Sequence, residues 1–302
     1  MAEEPLKSFL DPQVAARLMR LPLQARRPMA GTMSGQHKSP HRGSSVEFAE
    51  YRKYATGDDI RRLDWRVLAR SDRYYMKEYE AETNLRCHVI LDCSGSMKFG
   101  ENKSGHESKL DYGRRLAATL AYLSMQQGDA VGFHAVGAEV VKEIPAKRNP
   151  AHLRNIFELM NELQPQGPTG LVAGLHELAE KIRQRALVIV ISDFFCPLSP
   201  LKEALQHLEF KKHDLAVFQV LNRAEIDFSF DRPIRFQDLE SHFHLVTEPG
   251  TIRDRYLNAF NEHNEGLRHE CAQFKADYRR VVTDESYEES LAEFLLDRGG
   301  GH

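Results

Sequence analysis

The chain has 302 residues, 41% of them apolar and 28% charged, with a formal net charge of -3. That profile is an ordinary globular one, with room for one large core or two modest ones, and its charge balance argues against a dedicated nucleic-acid binder. The longest apolar run, Ala186 to Ile191, falls far short of the roughly 20 residues a bilayer demands.

The N-terminus, "MAEEPLKSFL", is acidic and lacks the charged-then-apolar pattern of an export signal. Cys87, Cys93, Cys196 and Cys271 show no C-x-x-C pairing, so reduced thiols in a cytoplasmic protein are expected. Residues 9–21 predict a short amphipathic helix. Asp11 would cap it, Pro12 would take the first helical position, and Val14, Leu18 and Leu21 would share a face. A Gly/Pro/Ser-rich basic stretch follows and predicts a loop; His37, Lys38, His41 and Arg42 form a local cationic cluster within it.

Residues 46–86 interleave cations and aromatics with about as many carboxylates. A polyphosphate would meet both signs, so this stretch predicts internal ion pairs and a protein-facing surface. Arg61, Arg62, Asp64, Trp65 and Arg70 are its candidates for meeting a partner. "YYMKEYEAET" alternates as a strand does.

From Cys87 onward strands and helices alternate. "CHVILD" predicts a strand and "SKLDYGRRLAATLAYLSMQQG" a helix stopped by Gly128; "DAVGFHAVG" and "EVVKEIPA" predict a hairpin. A helix capped by Asn149 follows, then one over "GPTGLVAGLHELAEKIRQR". The apolar strand "ALVIVISD", the helix "SPLKEALQHLEFKKH" and the strand "DLAVFQVLN" come next. Residues 223–249 read as irregular, with strand-like pieces "PIRFQDLE" and "HFHLVTE"; a long helix from about Ile252 to Lys275, a strand and a final helix close the chain. The pattern predicts a doubly wound, mostly parallel α/β sheet covered on both faces, with ligand chemistry at the carboxyl ends of its strands.

Three junctions at that edge carry oxygen donors. Asp92, Ser94 and Ser96 follow the first regular strand, Thr169 precedes a helix, and Asp193 closes the most apolar strand. Two carboxylates and three hydroxyls suit Mg²⁺, Mn²⁺ or Ca²⁺ rather than zinc. The order Asp-x-Ser-x-Ser, later Thr, later Asp resembles the metal-ion-dependent adhesion site of von Willebrand factor A domains. That resemblance implies that the hydroxyls contact the metal, that the aspartates often act through water, and that a partner's carboxylate fills the free position. Beyond the core, "HKSPHRGSSVEFAEYRKYATGDDIRRLDWRVLARSDRYYMKEYEAET" resembles bacterial domain-of-unknown-function family fifty-eight. Many members of that family begin with transmembrane helices, which this chain lacks, and members often accompany MoxR-type AAA+ ATPases.

The resemblance implies a von Willebrand A-like (Rossmann-like) domain over 85–302, with an insertion at about 223–250. An N-terminal helix and a basic, aromatic extension would occupy 1–84. The implied function is a non-catalytic, Mg-dependent interaction module working with a MoxR-type ATPase or its client. The enzymatic alternative is a haloacid-dehalogenase-type phosphatase with Asp92 as nucleophile. It wants an acid two residues on, where Ser94 stands, and a nearby lysine. His134 as a base, His242 and His244 as zinc ligands and Cys93 as a redox group are all weaker than structural roles.

Overall fold

The computed structural model describes residues 9–24, 37–39, 47–53, 74–83, 85–100, 107–138, 140–241 and 243–299. The chain divides into two compact units, one formed by Met1–Arg26 with Arg86–His302, the other by Arg27–Leu85. The first helix therefore belongs with the large C-terminal unit. In that helix, α1 (Pro12–Leu18), Asp11 Oδ1 accepts the N–H groups of Gln13 (2.8 Å) and Val14 (3.3 Å), and Val14, Ala15 and Leu18 are buried. It ends before Leu21, since Pro22 cannot continue a helical ladder. Arg17 pairs with Glu288 at 2.6 Å and Arg298 donates to the Gln24 carbonyl at 2.9 Å, tying this end to the C-terminal helix.

The smaller unit contains β1 (His37–Ser39), β2 (Glu47–Lys53) and β3 (Tyr75–Thr83), an antiparallel sheet in the order β1-β3-β2. β3 lies where alternation predicts a strand, whereas β2 lies where interleaved charges and aromatics gave no such signal. Arg61, Arg62, Asp64, Trp65 and Arg70 lie outside the described residues.

The larger unit resumes with β4 (Arg86–Asp92), α2 (Lys109–Gln126), β5 (Ala130–Val136), β6 (Val140–Lys147), α3 (Pro150–Glu162) and α4 (Leu171–Lys181). β7 (Leu187–Ser192), α5 (Leu198–Phe210), β8 (Asp214–Leu221) and a short α6 (Arg223–Asp227) follow. A hairpin of β9 (Ile234–Gln237) and β10 (His244–Thr247) leads to α7 (Pro249–Gln273), β11 (Asp277–Val282) and α8 (Tyr287–Gly299). Side-chain caps start α2 and α3: Ser108 Oγ accepts the Asp111 N–H at 3.1 Å, and Asn149 Oδ1 that of Ala151 at 2.9 Å. Gly128 ends α2 at φ +83°, a conformation open to glycine.

The six-stranded sheet runs β11-β8-β7-β4-β5-β6, parallel except for β6, which pairs antiparallel with β5. This is the doubly wound, mostly parallel α/β architecture the sequence predicts. Alternate residues of the buried central strands feed opposite faces. Val188 and Val190 join Leu175 of α4, Leu205 of α5 and Leu267 of α7. Leu91 and Ile191 meet α2 on the other face, close enough that a Cβ on Gly113 would lie 2.9 Å from Leu91 Cδ1. Each fully buried Leu or Ile contributes roughly 1.5–3 kcal/mol, so strands buried throughout fix this sheet's register. β4 leads out to β5 on one side and β7 to β8 on the other. The switch point therefore lies between β4 and β7, where open α/β sheets bind ligands.

Candidate metal centre

Both strands at the switch point lead into carboxylates, Asp92 as the last residue of β4 and Asp193 directly after β7. Asp92 is 1% exposed, and both its oxygens are engaged: Oδ1 accepts the Ser94 N–H at 2.8 Å, and Oδ2 the Ser192 hydroxyl at 2.6 Å. Burial above all, and then the neighbouring Asp193 charge, pushes the Asp92 carboxyl up to about 6. Ser94 and Ser96 place their Oγ atoms 3.1 Å apart. Adjacent ligands of an octahedral Mg²⁺, at about 2.1 Å from the ion, stand about 3 Å from each other. The hydroxyl pair has that spacing, and two carboxylates with hydroxyls form a hard-oxygen donor set, so the residues fit such an ion.

Backbone bonds stitch the Thr169 loop to this one. Gly95 N–H donates to Gly167 O (2.8 Å) and Gln166 N–H to Cys93 O (3.1 Å), while Gly170 N–H donates to Gly137 O (2.6 Å) just past β5. A Cβ on Gly170 would stand 2.3 Å from Ala138 O, so only glycine admits this approach. Thr169 Oγ1 is within 3.4 Å of the Leu171 N–H at the start of α4. Asp193 is aimed by a strained turn: Phe194 has φ +59°, and its N–H is held by Ser192 Oγ at 2.9 Å. Contacts thus join Asp92, Ser94 and Ser96 directly, Asp193 through the adjoining Ser192, and Thr169 through its loop.

Three residues at this edge were not singled out from the sequence. Lys109 is fully buried and donates to Asp193 Oδ2 and Glu225 Oε1, each at 2.7 Å. Burial alone would lower its proton affinity, but the two carboxylates together outweigh that and hold it raised. Glu225 is nevertheless pushed up, chiefly by burial and slightly by the Asp193 charge, against the lowering effect of Lys109. The sequence signal for Lys109 is its spacing, at the head of the buried Gly113, Leu116, Leu120 and Leu123 face of α2. Glu225 is readable as half of a capping box with Asn222: Asn222 Oδ1 accepts the Ala224 N–H at 3.0 Å, and Glu225 Oε2 accepts the Asn222 N–H at 2.8 Å. Glu240, in the β9–β10 turn, accepts the Thr169 N–H at 2.9 Å and gives no local sign of it.

The weaker candidates take structural places. His134 Nε2 lies 2.9 Å from His88 Nδ1 inside the sheet, apart from the serines. Cys93 donates to Val136 O at 3.3 Å, and burial pushes its thiol up to about 12, so it stays protonated. His242 lies outside the described residues, and His244 is exposed. Beside the loops opens a cleft of about 600 Å³, lined by Phe99, Asn222, Arg223, Leu239 and Thr283 among others.

A doubly wound α/β domain with an oxygen-rich loop cluster at its switch point is the class that fold and site define. Residues 50–266, more than half of the chain, match the model described as "Protein of unknown function DUF58", and the chain belongs to that family. Its relatives include the uncharacterized proteins Mb1516 of Mycobacterium bovis and Rv1480 of Mycobacterium tuberculosis. Each is 25% identical over 300 residues, covering 96% of this chain and 92% of its own. Among solved structures, the conserved hypothetical protein BatB of Bacteroides thetaiotaomicron aligns at 16% identity and a TM-score of 0.48, covering 72% of this chain and 100% of that one. The SpRpn10 VWA domain aligns at 10% identity and a TM-score of 0.40, covering 70% and 95%. Among the described residues no helix is long and apolar enough to cross a membrane.

Proposed function

We propose that this chain is a divalent-metal-dependent protein-interaction module. Ser94, Ser96 and Thr169 supply hydroxyl ligands, Asp92 and Asp193 act directly or through water, and a partner's Asp or Glu completes the shell around Mg²⁺. The observation that carries this is the 3.1 Å Ser94–Ser96 Oγ pair set beside the buried Asp92 at the switch point. A partner's carboxylate adds charge where a cation with few protein charges leaves a position open. The family resemblance read from the sequence supports a MoxR-type AAA+ ATPase, or that ATPase's client, as the partner in this proposal, with the cytoplasm as its proposed location.

One observation favours the phosphatase alternative: Lys109 is a buried lysine beside the site, as that chemistry wants. Two others weigh against it. Ser94 stands where the proton-transferring acid is needed, and both oxygens of Asp92 are tied up at 1% exposure, with none free for in-line attack. Capture of the cognate ATPase by the full chain in Mg²⁺ tests the choice. Capture should disappear with EDTA and in Ser94→Ala. Hydrolysis of a phosphate ester that vanishes in Asp92→Asn would overturn the interaction module in favour of the enzyme.

A further inference from the structure

The turn between β9 and β10 reaches the site from 71 residues beyond Thr169. Its shape is set by its own bonds. Asp238 Oδ1 accepts the Glu240 N–H at 2.9 Å, Asp238 Oδ2 accepts the Ser241 hydroxyl, and the Asp238 N–H donates to Phe243 O at 2.9 Å. The backbone of the turn also presses on the first site loop. A Cβ on Gly95, the residue between the two serines, would lie 2.1 Å from Leu239 O, so this loop carries a bare glycine beneath the turn.

The hairpin is held unevenly. On β9, Phe236 stacks on Phe228, with ring centroids 5.6 Å apart, and meets Phe230 edge-on at 5.4 Å. In the turn and along β10, Leu239, Phe243, Leu245 and Val246 are exposed, so little apolar burial fastens that side. What fastens the tip is the Glu240 carboxylate on the Thr169 N–H and the close seat over Gly95.

We propose that Glu240 is an internal ligand of the cation site. Its carboxylate takes the open position that a partner's acidic residue takes, and partner binding requires the tip to lift. This rests on the metal-binding function proposed above. Thr169 would itself be a ligand there, so a carboxylate bound to its N–H lies against a residue that would hold the ion. Being tethered, Glu240 competes at a high effective concentration. A partner therefore binds only when it offers more than one carboxylate, for example apolar contact with the exposed side chains of the lifted hairpin.

Mn²⁺ is the probe, added to the full chain and read by titration and by water-proton relaxation. Glu240→Gln keeps an oxygen to accept the Thr169 N–H and removes only the charge. It should bind Mn²⁺ about tenfold more weakly. It should also show higher relaxation per bound ion, because water replaces the carboxylate, and free acetate should bind its Mn²⁺ complex more readily than the wild-type one. A metal-free melt identical to wild type confirms that the turn stays docked. If Ser94→Ala abolishes Mn²⁺ binding while Glu240→Gln matches wild type in affinity and relaxation, Glu240 merely caps α4. The internal ligand then falls and the metal site stands. If the wild-type chain binds no Mn²⁺, both fall.

Discussion

Two buried cations bridge pairs of carboxylates at opposite edges of the same sheet, and they do different work. At the amino edge Arg298 of α8 contacts Asp214 at the start of β8 (3.1 Å) and Asp277 at the start of β11 (2.7 Å), and also holds the Gln24 carbonyl. A guanidinium is a planar fork with five donors, so it pins two strands and the N-terminal segment in one geometry. At the carboxyl edge Lys109 bridges Asp193 and Glu225 as a point charge, while Asp92 and Glu240 add two more carboxylates to the same loop cluster. The first arrangement is a clasp. The second holds two acids on one ammonium, with the Asp92 and Glu240 carboxylates on neighbouring loops and two hydroxyls spaced for a metal, and that excess of negative charge is what a divalent cation would relieve.

The comparison breaks most sharply by removing each cation in turn. Arg298→Met leaves Asp214 and Asp277 without their buried guanidinium and should cost about 3–5 kcal/mol in urea unfolding. Mg²⁺ should not restore it, because the hydroxyl pair stands at the opposite edge. Lys109→Met strands Asp193 and Glu225 and should cost a similar amount in EDTA. Here Mg²⁺ should restore part of the loss, about 2.7 kcal/mol at a hundredfold excess over its dissociation constant. Mg²⁺ should also bind this variant more tightly than wild type, since a neighbouring positive charge has gone. Equal responses to Mg²⁺ in the two variants would erase the distinction between clasp and site.

How much of this was legible depends on the range of the interaction that decides each feature. The central strands and α2 to α5 are written in local periodicity, and Asp92, Ser94, Ser96, Thr169 and Asp193 sit at strand and helix ends that the same periodicity locates. α6 escaped because a five-residue helix has no period to show; only the Asn222–Glu225 capping box marks it. β2 escaped because its charges and aromatics do not alternate by polarity. Lys109 was readable in principle, as a charge on an otherwise buried helical face. Glu240 was not: its role is set by a backbone N–H 71 residues away, and nothing in "QDLES" announces that.

The smallest predicted effect separates the structural histidines inside the sheet from the cation site. His88 Nδ1 and His134 Nε2 share a hydrogen bond of 2.9 Å, and both rings are buried. Burial first, and then the charges of His134, His213 and Arg86, pushes His88 down to about 3; burial and then Lys181 pushes His134 down to about 4. Both folded values lie below the unfolded value of about 6.5. The unfolded chain therefore binds protons that the native chain does not, and stability present above about 6.5 is lost as pH falls toward about 4. Each ring contributes at most about 1.4 kcal/mol per pH unit, less for two rings that share one bond. His88→Asn retains a side-chain donor toward His134 Nε2 and removes one titrating group. His213, pushed down to about 4 chiefly by burial, titrates in the same window, so the fall in urea midpoint between pH 6.5 and pH 5 should shrink by roughly a third, in Mg²⁺ and in EDTA alike. An unchanged slope would mean that the pair does not set the acid limit of the fold. A His88→Asn effect on the slope that depends on Mg²⁺ would mean that the sheet interior and the carboxyl edge are coupled, contrary to the separation drawn between clasp and site.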